Sequence, residues 1–325
     1  MPPNVGTALK PVKRMPAPKT LPKIGASDFT RDLDLSQEEL LALLNLTQQV
    51  KSTPARFAKA LAGRYVSLLF EKPSLRTRLT FELAIKQLGG DSVLTTGPIG
   101  DREPLKDVAR NLDRWTNAIV ARTFSQHTID DLATWSAVPV INALSDRFHP
   151  CQALADVFTL QEKFGDLRGL KLAFVGDGNN VAHSLMLSSL RLGMNFAIAT
   201  PAGYEPHPEV VAQAQGLAAV SGGELLITND PAQAVSGAQA VYTDVWASMG
   251  QEQEKEKRMA DFAPYQVCSD LFGNASPEAV FLHCLPAKRG EEVTDEVIES
   301  SASVVFDQAE NRLHAQKALL LMLIG

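Results

Sequence analysis

Apolar positions along the chain fall into two alternating rhythms. Short runs rich in β-branched and aromatic residues, the pattern of buried strands, occupy 65–70, 92–95, 118–121 and 138–141. Between them, apolar residues recur at helical spacing from Arg76 onward, and again over 105–115, 128–135 and 150–164. The same rhythm resumes with strands predicted at 171–176, 195–200, 224–228, 240–244 and 280–283. Leucines after 33 follow a helical pattern behind Ser36, with Glu39 three residues on, a capping-box signature. Alternation of strand and helix predicts parallel sheets covered by helices, and 325 residues suffice for two such domains. The expected fold class is therefore α/β, with two domains, each a parallel β-sheet flanked by helices, and the active site in the cleft between them. The first domain is expected over 28–149 and the second over 150–307. A helix over 150–164 would bridge them, and an apolar helix over 308–325 would pack back on the first domain.

Polar residues at the ends of these strands carry the candidate chemistry. Ser74-Leu75-Arg76-Thr77-Arg78 sits where the 65–70 strand hands over to a helix. Free backbone N–H groups and the positive end of the helix dipole collect there. Two hydroxyls and two guanidiniums add donors suited to phosphate oxygens. Ser74 could be an ordinary helix cap, but the density of donors at one turn favours a phosphate cradle. A Gly-x-x-x-x-Gly-Lys-Ser/Thr loop is absent, so no Walker-type nucleotide site is expected. Arg122 ends the third strand, as a ligand for a carbonyl or phosphate or as a surface arginine in a salt bridge. His149-Pro150-Cys151-Gln152 opens a helix with proline at its first position, which holds His149 and Gln152 close together. That histidine reads equally as a ligand or as a structural residue.

In the second half, Gly176-Asp177-Gly178 resembles part of a dinucleotide fingerprint. Ala182-His183 stand where a third glycine belongs, and Thr200-Pro201 where a ribose-binding acid belongs. Asn179 and Asn180 are expected to face the cleft as neutral partners for a polar substrate. Asp244 offers a carboxylate at a strand end, followed by the small-residue loop Ser248-Met249-Gly250, which could close over a ligand. The charged stretch 251–258 reads as a solvated helix face. His283 and Cys284 are neighbours on a strand end and point to opposite faces, which disfavours a nucleophile–base pair.

Composition narrows the field. A net charge of −6 gives no support for nucleic-acid binding. Three cysteines without a C-x-x-C pair argue against a disulfide scaffold or zinc site and for a reducing cytoplasmic setting. No apolar run approaches the roughly 18 residues of a membrane span. Residues 1–27 are basic and proline-rich, with no acidic residue before Asp28. They read as a disordered extension, lacking the Arg/Ser richness of a transit peptide and the apolar core of a secretory signal, with a surface-binding tail as the alternative.

Taken together, the motifs resemble the carbamoyltransferase family, in its ornithine-specific branch. The carrying residues are Phe70 to Arg78, His149 to Gln152, Asp244 with Ser248-Met249-Gly250, His283-Cys284-Leu285-Pro286, and Phe306 to Arg312, in order and at family spacing from about Leu33 to the end. The resemblance implies a carbamoyl phosphate-binding domain followed by an ornithine-binding domain. It implies transfer of the carbamoyl group to the δ-amine of L-ornithine, giving L-citrulline and phosphate as a step of arginine biosynthesis. It further implies a homotrimer or an assembly of trimers, small-molecule substrates, and no cofactor, metal, nucleic acid or membrane.

By the same resemblance, carbamoyl phosphate would be bound by Ser74, Leu75, Arg76, Thr77, Arg122, His149, Gln152, Cys284, Leu285 and Arg312, with Arg122, His149 and Cys284 catalytic. Ornithine would be held by Asn180, Asp244, Ser248 and Met249. Leu75 departs from the family's usual threonine and loses a hydroxyl. Pro98-Ile99 stand where some relatives supply a glutamine to the neighbouring subunit's site. Rival readings are a carbamoyltransferase for another amine, such as putrescine or an N-acylated ornithine, a nicotinamide-dependent dehydrogenase, and a non-catalytic relative.

Overall fold

The computed structural model describes residues 21–247 and 254–325, so Ser248, Met249 and most of the basic extension lie outside the described residues. The first half contains α1 (Gln37–Ser52), β1 (Tyr65–Phe70), α2 (Leu75–Gln87), β2 (Asp91–Thr96) and α3 (Leu105–Trp115). It continues through β3 (Ala118–Arg122), α4 (Gln126–Trp135), β4 (Val140–Leu144) and α5 (Pro150–Phe164). The second half runs β5 (Lys171–Val175), α6 (Asn180–Arg191), β6 (Asn195–Ala199), α7 (Pro208–Ser221), β7 (Leu225–Thr228), α8 (Pro231–Val235) and β8 (Ala240–Thr243). After these come α9 (Lys255–Phe262), α10 (Ser269–Phe272), β9 (Val280–His283), α11 (Asp295–Ile298) and α12 (Val305–Ile324).

Each half builds one parallel sheet, in the orders β2-β1-β3-β4 and β7-β6-β5-β8-β9. Central strands such as β3 and β8 are buried along their length, because helices cover both faces. The register between β3 and β4 shifts between Ala121 and Arg122, an irregularity of the kind that re-aims a side chain at a strand end. α5 is buried through Leu160 and belongs to a hydrophobic core that continues from one sheet to the other. α12 packs against α5, α1 and α2, which closes the C-terminus onto the first half.

Four local expectations change. Residues 21–27, grouped by composition with the extension, are part of the fold: Leu21 and Ile24 pack on the core, and Gly25 N donates to Glu39 Oε1 (2.6 Å). Glu39 also completes the capping box of α1 with Ser36. β4 lies further along than 138–141, since Asn142 is buried within it, donating to Thr30 O (2.9 Å) and Gln126 Oε1 (3.0 Å). α12 begins at Val305, ahead of 308, and buries Gln308, Asn311 and Arg312 along with its apolar residues. In the charged stretch, Arg258 is buried rather than solvated. It pairs with Asp177 (2.8 Å) and Glu254 (3.1 Å), and its guanidinium lies 4.9 Å from the ring centre of Tyr204. Among the described residues, no helix is long and apolar enough to cross a membrane.

Candidate active site

The carboxyl ends of β1, β3, β8 and β9 and the first turns of α2, α5 and α6 surround a cleft of about 510 Å³. Every residue that the resemblance assigns to a substrate, within the described part of the chain, lines it. Lys72 and Lys288, which motif reasoning passed over, line it as well. Lys72 lies within the recognised stretch Phe70 to Arg78, two residues before Ser74, and Lys288 stands two after Pro286.

One wall of the cleft is a cradle of donors. Ser74 caps α2, its Oγ accepting from Thr77 N (3.2 Å), so the first turn of the helix faces the cleft with its N–H groups. Leu75 holds its side chain out, 72% exposed, which leaves its backbone as its contribution to this turn. Arg312 reaches across from α12 and donates through Nη2 to Thr77 Oγ1 (2.6 Å). Glu71 staples the strand-end loops beside the cradle, accepting from Ile99 N (3.1 Å) and Phe124 N (2.9 Å).

Arg122 is buried at the end of β3, and its Nε, like that of Arg312, has no partner. Burial first, and then the charge of Arg312, bring its pKa down to about 10. Half-buried Lys72 is lowered first by burial and then by Arg122. Cations crowded out of water in this way gain most from an incoming anion.

His149 and Gln152 reach the cleft from the start of α5. The His149 backbone N–H donates to Ser184 Oγ (2.9 Å), while its Nδ1 has no partner. Burial, then Arg312 and Arg122, hold the imidazole well below its ordinary pKa, so it is neutral at pH 7. Gln152 donates through Nε2 to Asp156 Oδ1 (2.8 Å) and keeps Oε1 unpartnered.

The cleft also holds a buried carboxylate. Asp244 accepts from Asn179 Nδ2 (2.9 Å), Val245 N (2.8 Å) and Cys284 Sγ (3.0 Å). Burial and then Asp244 push the Cys284 thiol well above its ordinary value, which suits it to the role of a protonated donor rather than a thiolate nucleophile. His283 faces the other way: Nδ1 accepts from Leu285 N (2.9 Å), so Nε2 carries the proton toward Glu292 (3.1 Å).

The expectation that both asparagines face the cleft holds for Asn180 alone. Asn180 donates to Ser145 O (2.6 Å) and lines the cleft. Asn179 is spent capping α6 through Val181 N and Ala182 N, and on Asp244. The partial dinucleotide motif has a packing cause. Gly178 N donates to Tyr204 O (2.9 Å), and a Cβ at Gly178 would meet Pro206 N at 2.3 Å. The space beside it belongs to protein backbone.

Comparison with known proteins settles the family. Residues 27–162 match the model of the aspartate/ornithine carbamoyltransferase carbamoyl-P binding domain, and 168–323 that of the Asp/Orn binding domain. The chain belongs to the aspartate/ornithine carbamoyltransferase family. It is similar to the ornithine carbamoyltransferase of Thermococcus kodakarensis, 50% identical over 297 residues that cover 90% of this chain and 94% of the relative. That of Parasynechococcus marenigrum is 51% identical over 308 residues, 94% of this chain and 96% of the relative. The solved ornithine carbamoyltransferase from Pyrococcus furiosus superposes with a TM-score of 0.90 at 47% identity, covering 93% of this chain and 98% of that one. Within the family frame, the matched carbamoyl-P binding region holds Ser74, Arg76, Thr77 and Arg122, and the Asp/Orn binding region holds Asp244, Cys284 and Arg312.

Proposed function

We propose that this cleft transfers the carbamoyl group of carbamoyl phosphate to the δ-amine of L-ornithine, releasing L-citrulline and phosphate. One observation carries the reading: a cationic, donor-rich helix start and a buried carboxylate line the same cleft, together with neutral His149 and Gln152. Carbamoyl phosphate is dianionic at its phosphate and already activated, so the protein's task is to position it and to neutralise charge.

In this reading Ser74, Arg76, Thr77 and the backbone of Leu75 hold the phosphate, and Arg312 joins them. Arg122 and the neutral imidazole of His149 donate to the carbamoyl oxygen, which gains charge as the carbon becomes tetrahedral. Asp244 and Asn180 hold the amino-acid end of ornithine, with Ser248 and Met249 assigned there by family likeness. The δ-amine, once unprotonated, attacks the carbamoyl carbon, and the backbone of Cys284 and Leu285 lies beside it. The C–O bond then breaks, and phosphate leaves with its electron pair and takes up the proton that the attacking nitrogen gives up; no covalent enzyme intermediate is needed.

The assembly read from the family is a homotrimer or a multiple of it, in the cytoplasm, serving arginine biosynthesis. Leu75, Leu79 and Leu83 form an exposed stripe on α2, and Val93 is 60% exposed on the edge strand β2, a surface suited to a second copy. The test is product analysis with purified protein. Citrulline and phosphate formed in equal amounts support the reading, and phosphate released without citrulline overturns it.

A further inference from the structure

Behind Gln152 lies a polar cluster closed off from water. Asp156, Tyr242 and Gln308 are all fully buried, from α5, β8 and α12. Asp156 Oδ1 accepts from Gln152 Nε2 (2.8 Å) and Gln308 Nε2 (2.6 Å), and its Oδ2 from Tyr242 OH (3.2 Å). Gln308 passes the connection on, its Oε1 accepting from His283 N (3.0 Å) one residue before Cys284.

A carboxylate oxygen can only accept, so each glutamine must turn its NH2 toward Asp156. Gln152 stands one helical turn before Asp156 on the same face of α5, which leaves its amide two orientations and gives only one of them a partner. The other end of that amide, Oε1, is buried and unpartnered on the wall of the cleft. We infer that Asp156 is a positioning residue that locks the Gln152 amide with its oxygen toward the cleft, where it accepts a hydrogen bond from the N–H of the carbamoyl group. The inference rests on the reading of the cleft as a carbamoyl phosphate site and deepens it. It makes the cleft selective for an acyl phosphate that carries an N–H. Burial raises Asp156 to about 7, yet the lock holds in both protonation states: a proton on Oδ2 faces the Tyr242 oxygen, and Oδ1 still accepts both amides.

The test compares carbamoyl phosphate with acetyl phosphate, which replaces the NH2 by a methyl group and offers no N–H. Binding of each is measured with wild-type protein, Asp156→Leu, Asp156→Asn and Gln152→Met. The wild type should prefer carbamoyl phosphate by about tenfold or more, the scale of one buried hydrogen bond. Asp156→Leu should reduce that preference at least fivefold while acetyl phosphate binding changes little. Asp156→Asn keeps an oxygen for the two glutamines and should retain the preference. Asp156→Leu combined with Gln152→Met should show no further loss of preference beyond Gln152→Met alone. If Asp156→Leu does not fold, Asp156→Ser carries the same comparison, since serine is too short to hold the amide. A preference unchanged in the Leu or Ser variant, or lost equally in Asn, overturns the inference. Wild-type protein that binds neither phosphate would instead overturn the carbamoyl phosphate reading itself.

Discussion

Arg312 Nη2 donates to Thr77 Oγ1 at 2.6 Å, joining residues 235 apart in sequence. The bond ties the C-terminal helix to the first turn of α2 and fixes a guanidinium beside the donors of that turn. The cradle is therefore assembled from both ends of the chain, and it exists only once α12 has docked on α2 and α5.

Replacing that guanidinium should cost carbamoyl phosphate most. Arg312→Leu is expected to lower kcat/KM for carbamoyl phosphate by about 100-fold or more, the scale of a buried charge-assisted contact. Thr77→Val, which removes only the hydroxyl, should lower it about tenfold. Steady-state kinetics with ornithine saturating measures both. An Arg312→Leu enzyme close to wild type would show that the arginine serves packing alone.

Asp244 is the residue proposed to hold the other substrate. Asp244→Asn keeps the size and loses the charge, so the affinity for ornithine should fall roughly 30- to 100-fold, about 2–3 kcal/mol for an unpaired ammonium. Carbamoyl phosphate binding, measured by calorimetry in the absence of ornithine, should stay within about twofold. Equal losses for both substrates would contradict the assignment of Asp244 to the amino-acid end.

Asp32 makes a prediction about stability. It is fully enclosed, accepting from Ser184 Oγ (2.5 Å) and Ser188 Oγ (2.9 Å), and burial raises its pKa to about 7 from an ordinary 3.8. A folded pKa above the unfolded one means that the folded chain binds the proton more tightly. The stabilisation is complete below about pH 4 and is lost as pH rises through 7. Thermal melts should therefore show Tm falling between about pH 4 and 7, at up to ~1.4 kcal/mol of stability per pH unit for this one group, and levelling off above. Asp32→Asn should flatten that slope, and an unchanged slope would exclude Asp32 as its source.

Strands and helices were largely legible because burial on both faces leaves continuous apolar runs such as Ile119-Val120-Ala121, and caps such as Ser36 mark the helix starts. The cleft residues were legible for a related reason: Arg122, Asp244 and Cys284 are polar residues placed where apolar strands stop, and Asn180 opens a helix. What stayed hidden depends on partners distant in sequence. Arg258 reads as one more solvated charge until Asp177 and Tyr204 close around it. Asn179 looks like a ligand until its side chain is seen capping α6, and Gly178 like a nucleotide motif until the loop through Pro206 lies against it. Asp156 and Gln308 meet across 152 residues, so no local pattern could join them. Polar residues inside helices carry no periodic signal that separates a buried network from an exposed face.

The central claim is that a carbamoyl donor and ornithine meet in this cleft. Initial rates of carbamoyl transfer from carbamoyl phosphate, measured side by side with L-ornithine, putrescine, N-acetylornithine and L-aspartate, test it most directly. The account predicts citrulline formation with kcat/KM for ornithine at least 100-fold above that for any other amine. A different preferred amine would leave the phosphate cradle standing and contradict the assignment of the Asp244 end, and transfer to none of them would contradict the account as a whole.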